Sequence, residues 1–135
     1  MTNRQRGKAF EAKIKKYLQS IGFIVDVARP TIKYCGPGKI FSGPNDFWGC
    51  IDLIAFHPGK AYTLMIQAHA GDNASTKRKD VEKLPWNTNA QFVQVWTPLA
   101  GIKRGIRTYW LQNDGSWSEI LWAMKDGIVP GGGHL

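Results

Sequence analysis

Two cysteines in 135 residues, Cys35 and Cys50, are too few for a disulfide framework, and their spacing matches no zinc motif. A reduced, cytoplasmic setting is the simplest expectation. No apolar run reaches the length that crosses a bilayer. The opening residues, MTNRQRGKAF, carry charge with no apolar segment behind it and do not read as a signal peptide. Internal repeats and low-complexity blocks are missing. Of three histidines, His57 sits in a turn and His134 in the tail, and neither has ligand spacing. The GPG and GGG triplets do not fit a phosphate-cradling loop, and no Ser/His/Asp arrangement stands out. Acidic residues are also scarce: ten Asp and Glu against eighteen Lys and Arg leave a net charge of +8. Such an excess favours a polyanionic partner, because each phosphate neutralised releases condensed counterions.

What remains is an ordinary globular composition, 43% apolar and 21% charged, in a length that suits one domain with its own core. Residues 4 to 21 read as an amphipathic helix. Phe10, Ile14, Tyr17, Leu18 and Ile21 recur at helical spacing, with Lys13, Lys15 and Lys16 off that stripe. Residues 23 to 28 alternate like a strand that Arg29-Pro30 ends. A long Gly-, Pro- and Lys-rich loop spans about 30 to 49, a length that suggests function in a compact domain. Residues 50–56 and 61–69 read as two strands joined by the turn at 57–60. A short helix is expected over about 75–84, a strand over 91–97, and a hairpin over 107–112 and 117–122 around Asn113-Asp114-Gly115. The expected fold is α/β: one domain over residues 1–126, a central mixed sheet flanked by helices, an extra C-terminal β-hairpin, and a mobile Gly-rich tail from 127 to 135.

Three polar positions interrupt this pattern. Asp52 breaks an otherwise apolar strand, CIDLIAF, where a carboxylate is costly unless paired or bound to metal. The plain alternative is that it caps a loop at the strand's start. Gln67 and His69 are two apart on the next strand and share a face with Thr63 and Met65, whereas Leu64 and Ile66 face the other way. The hairpin makes Asp52 and Gln67 potential neighbours; alternatively, Gln67 and His69 simply face solvent. Glu11 lies at the edge of the apolar stripe of the first helix, on a ridge with Gly7, Ile14 and Leu18, and can reach inward or stay on the surface.

RGKAFEAKIKKYLQSIGF, GCIDLIAF and AYTLMIQAH, in that order, resemble the PD-(D/E)XK nuclease superfamily, and within it the archaeal and phage Holliday junction resolvases. The resemblance covers about residues 6 to 97. It implies a restriction-endonuclease-like domain and a divalent-metal-dependent endonuclease, with Mg²⁺ the expected ion and Mn²⁺ a substitute. By position, Glu11, Asp52, Gln67 and the Ala68 carbonyl become the metal ligands. Gln67 stands where the family has glutamate and offers a neutral oxygen. His69 stands where the family has lysine, and neutral histidine can act as a base near neutral pH. The missing cation can come instead from Lys77 or Lys79 on the following helix, where Lys77, Arg78 and Lys79 otherwise form a solvated basic face.

The expected activity is hydrolysis of DNA phosphodiester bonds, on duplex or branched substrates, in recombination, repair or phage genome processing. The alternative is a catalytically inactive DNA-binding protein of the same fold. Arg6, Lys33, Lys39, Lys77, Arg78 and Lys79 are the expected phosphate contacts, with Lys103, Arg104 and Arg107 as a second track. A homodimer through the hairpin bearing Trp110, Trp117 and Trp122 is a further expectation.

Overall fold

The computed structural model of the chain describes residues 2–28, 32–34, 40–42, 47–48, 50–71 and 74–131; for residues 3, 4, 32–34 and 40–42 it describes the backbone alone. Helix α1 spans Asn3–Ser20. Its start is fixed by a reciprocal cap: the Gln5 N–H donates to Thr2 Oγ1 (3.2 Å) and the Thr2 N–H donates to Gln5 Oε1 (2.8 Å). Its end is set at Gly22, whose φ of 98° leaves the helical region and whose hydrogen side faces the His57 ring. A side chain there would be both strained and crowded.

Six strands form one sheet in the order β1-β4-β5-β6-β7-β8: β1 Ile24–Val27, β4 Leu53–Phe56, β5 Thr63–Ala68, β6 Gln91–Pro98, β7 Gly105–Leu111 and β8 Trp117–Ala123. All neighbours are antiparallel except β5 and β6, which run parallel. A parallel pair needs a crossover, and α2 (Ala74–Glu82) lies within it. The fold is therefore α/β with a mixed sheet, two helices and a C-terminal hairpin, as the sequence leads one to expect. Two further short strands, β2 (Ile32–Tyr34) and β3 (Ile40–Ser42), pair antiparallel inside the segment expected to be loop. Lys39, in the same segment, lies outside the described residues.

The sheet divides the core in two. Leu53, Ala55, Leu64, Ile66 and Ala68 pack with Phe10, Ile14, Tyr17 and Leu18 of α1. Met65, Val93 and Val95 pack with Ala74 and Val81 of α2. The period-2 alternation along β5 thus assigns its even positions to α1 and its odd positions to α2.

The C-terminal expectations need correction. Val129 is 1% exposed and belongs to the α1-side core. Tyr17 Oη donates to the Ile128 carbonyl (2.6 Å), and the Gln94 amide nitrogen donates to the Pro130 carbonyl (2.7 Å). The chain is therefore anchored as far as Pro130; residues 132–135 lie outside the described residues. The hairpin tryptophans are also engaged internally. Trp122 is buried and donates to Thr108 Oγ1, Trp117 donates to Glu82, and Gly131 sits over the Trp110 ring. Trp122 is withdrawn from the surface, Trp110 and Trp117 are partly exposed, and Leu121 is exposed on edge strand β8.

Candidate functional site

Strand β4 begins at Leu53 rather than Cys50, which places Asp52 one residue before the first ladder pair, Leu53 with Ile66. The Asp52 N–H still donates to the Ile66 carbonyl (2.9 Å), so Asp52 continues the ladder opposite Gln67. Its carboxylate turns along β5, and Oδ2 accepts the Ala68 N–H at 2.9 Å. Asp52 is 7% exposed and Gln67 is 6% exposed. Asp52 thus caps the strand's start, as the plain alternative has it, and also lines a cavity.

That cavity holds about 310 Å³ and is lined by Arg6, Gly7 and Glu11 of α1, by Asp52, by Gln67, Ala68 and His69 at the end of β5, by Ala70 and Gly71, and by Lys77 of α2. Four separate pieces of chain, brought together by the sheet, supply its wall. The sequence-derived set Glu11, Asp52, Gln67, Ala68, His69 and Lys77 converges there, with Arg6 at the same wall. Lys79 does not line the cavity. Arg78 turns the opposite way, its guanidinium 4.2 Å from the centre of the Tyr109 ring, a cation–π contact on the α2 side of the sheet. The basic trio on α2 is therefore split, with one member at the cavity. Lys33 is described through its backbone in β2, and Lys39 is outside the described residues.

The electrostatics follow from burial. Glu11 has its pKa raised above the usual carboxylate value because burial penalises its charged form; Lys8, nearby on the helix, offsets part of that rise. Gln67 is buried and lines the cavity beside Ala68 and His69. At the cavity wall the carboxylates Glu11 and Asp52 are matched by the cations Arg6 and Lys77.

The donor chemistry fits a small hard cation: two carboxylates, one amide oxygen and the Ala68 carbonyl are all oxygen ligands, the set that magnesium and its analogues prefer. Among the described residues no group of three or more His, Cys, Asp and Glu is disposed to hold a metal ion.

Gly7 and Gly71 shape the cavity differently. A Cβ on Gly7 would meet nothing within 4 Å, so Gly7 opens the mouth rather than permitting close helix packing. A Cβ on Gly71 would lie 3.1 Å from His69 Nε2, so Gly71 makes room for the imidazole. The role of Gly71 has no signal in the sequence, because it depends on how the chain turns back after β5. Comparison of the chain with protein-family models and with curated proteins finds no match.

Proposed function

We propose that the protein is a divalent-metal-dependent nuclease whose site is the cavity walled by Glu11, Asp52, Gln67, Ala68, His69 and Lys77. The observation that carries this reading is the convergence of those six residues, from four pieces of chain, around one small cavity. Asp52 and Glu11 would supply the anionic ligands, and Gln67 and the Ala68 carbonyl the neutral ones. Mg²⁺, or Mn²⁺ in its place, would polarise the phosphoryl oxygens and lower the pKa of attacking water. Arg6 and Lys77 face the non-bridging oxygens of the scissile phosphate and offset the charge that builds there. His69, partly buried against Gly71, would take the proton as the water oxygen bonds to phosphorus and the P–O bond to the leaving sugar oxygen breaks. Branched DNA is the preferred substrate under this reading, by the resemblance of the motif order to junction resolvases.

The test is cleavage of end-labelled single strands, duplexes and four-way junctions in Mg²⁺, in Mn²⁺ and in EDTA. The parent should cut at least one substrate with metal and none in EDTA, and Asp52→Asn should cut none. Cleavage by Asp52→Asn at the parent's rate contradicts the assignment. A parent that binds these substrates and cuts none of them favours a DNA-binding protein, the reading suggested by Gln67 and His69 standing in place of Glu and Lys.

A further inference from the structure

Next to the candidate site lies a larger groove of about 900 Å³ that the proposed chemistry does not use. It runs between one flank of α1 and the β6–β7 connection. Arg6 and Ala70 line both the site and the groove, so the two adjoin. Arg6, Lys13, Lys16 and Arg104 stand around the groove, and among the described residues no Asp or Glu lines it. Asp126, which bears on the Tyr17 hydroxyl from nearby, is held by the Ala123 N–H. The floor is apolar, and Ile102, half-exposed at 50%, stands on its far wall with Leu99.

Arg104 adds a second observation. It adopts a left-handed backbone conformation, φ 57°, unusual for a side chain with a Cβ. Three backbone hydrogen bonds fix the turn around it: Gly105 N–H to Ile102, Leu99 N–H to Gly105, and Met124 N–H to Arg104. The protein tolerates a costly conformation at the residue that places a guanidinium across the groove from Lys13 and Lys16.

We propose that this groove is the track for the nucleic-acid strand that leaves the candidate site, with its phosphates on Arg6, Lys13, Lys16 and Arg104 and its sugar and base faces on Ile102 and Leu99. The proposal rests on the nuclease reading for the strand's point of entry. From Arg6 to Lys16 the helix advances about 15 Å, which is the axial run of about four phosphates on one strand of a duplex. The lysines that fall off the apolar stripe of α1 thus acquire a purpose: two of the three, Lys13 and Lys16, face the groove. On this assignment the main phosphate contacts lie on the α1 side of the sheet, opposite Arg78 and Lys79.

The experiment measures equilibrium binding of a fluorescein-labelled single strand and a duplex of equal length against KCl concentration. It is done in EDTA, so that neither metal nor cleavage is needed. The proteins are the parent, the triple variant Lys13→Ala/Lys16→Ala/Arg104→Ala, and Ile102→Asp, which keeps every cation and alters an exposed side chain. The triple variant should lose at least tenfold in affinity, and its log Kd against log salt slope should flatten by about 2 to 3. Ile102→Asp should weaken binding at least tenfold at the parent's melting temperature. An unchanged slope in the triple variant, undiminished binding by Ile102→Asp, or a parent that does not bind either oligonucleotide overturns the groove assignment. So does displacement of the oligonucleotide by polyglutamate at equal charge concentration, which would mark a site for acidic chains in general. Loss of metal-dependent cleavage alone would remove the nuclease reading and leave these binding results standing.

Discussion

At the scale of single residues, Asp52 is both a ligand candidate and a structural acceptor, and the two roles separate by substitution. Asp52→Ala orphans the buried Ala68 N–H, a loss of about 1–3 kcal/mol. Asp52→Asn retains an oxygen that accepts the same bond and removes the charge. Chemical denaturation should therefore show Asn close to the parent and Ala clearly below it; equal losses would mean that the Ala68 bond contributes nothing. Glu11 makes a second prediction, with a definite sign. Its folded pKa is raised by burial, so between its unfolded and folded values the native state binds more protons than the unfolded chain. Its contribution to stability therefore falls as pH rises through that window. In EDTA, Glu11→Gln should melt higher than the parent at neutral pH, and the gap should close as the pH falls below the ordinary carboxylate range. A variant that melts lower at neutral pH would place Glu11 in a favourable contact instead. Asp52 and Glu11 are legible in the sequence because one breaks an apolar run and the other sits at the edge of an apolar stripe. The capping bond of Asp52 is not, since it depends on where β4 begins.

At the scale of elements, α1 does more than cover the sheet. Its inner stripe of Phe10, Ile14, Tyr17 and Leu18 is readable from spacing alone, because apolar residues at period 3.6 over more than two turns line one face of a helix and would scatter over both faces of a strand. Its flank is not readable, because whether an off-stripe lysine meets water or a groove is decided by the β6–β7 connection, far along the chain. Gly7 interrupts this helix at the cavity mouth with open space beside it. Gly7→Ala should thus gain about 0.5–1 kcal/mol from helix propensity alone, readable as a higher denaturation midpoint. A destabilised Gly7→Ala would show that the backbone there must come closer to its surroundings than the structure indicates. The parity of β5 is also legible: alternation puts Gln67 and Met65 on one face and Leu64 and Ile66 on the other, and Met65 falls in the α2-side core while Leu64 and Ile66 fall in the α1-side core.

At the scale of the whole molecule, the C-terminal segment closes the fold. Composition suggests a loose tail from Gly127, because PGGGHL has few groups that pack. Yet Ile128 and Pro130 accept hydrogen bonds from Tyr17 and Gln94. Val129 fills the core on the α1 side of the sheet. These contacts join residues far apart in the chain, which no local pattern announces. Val129→Ala should lower stability on the order of 2 kcal/mol, whereas a loose tail would register no change in thermal denaturation. Gln94 explains why a polar side chain is tolerated in this core: its amide donates to Pro130 and accepts from Trp96 Nε1 at 2.8 Å, satisfying both ends.

Everything proposed for the cavity depends on Glu11, Asp52 and Gln67, from a helix and two neighbouring strands, forming one site for a divalent cation. Calorimetric titration of Mn²⁺ into the parent, Asp52→Asn and Gln67→Glu reads this without any substrate. One ion should bind the parent, and Asp52→Asn should lose it. Gln67→Glu should bind more tightly, because a second strand carboxylate is supplied. No Mn²⁺ binding by the parent, or binding that Asp52→Asn leaves unchanged, would show that these residues do not form a metal site.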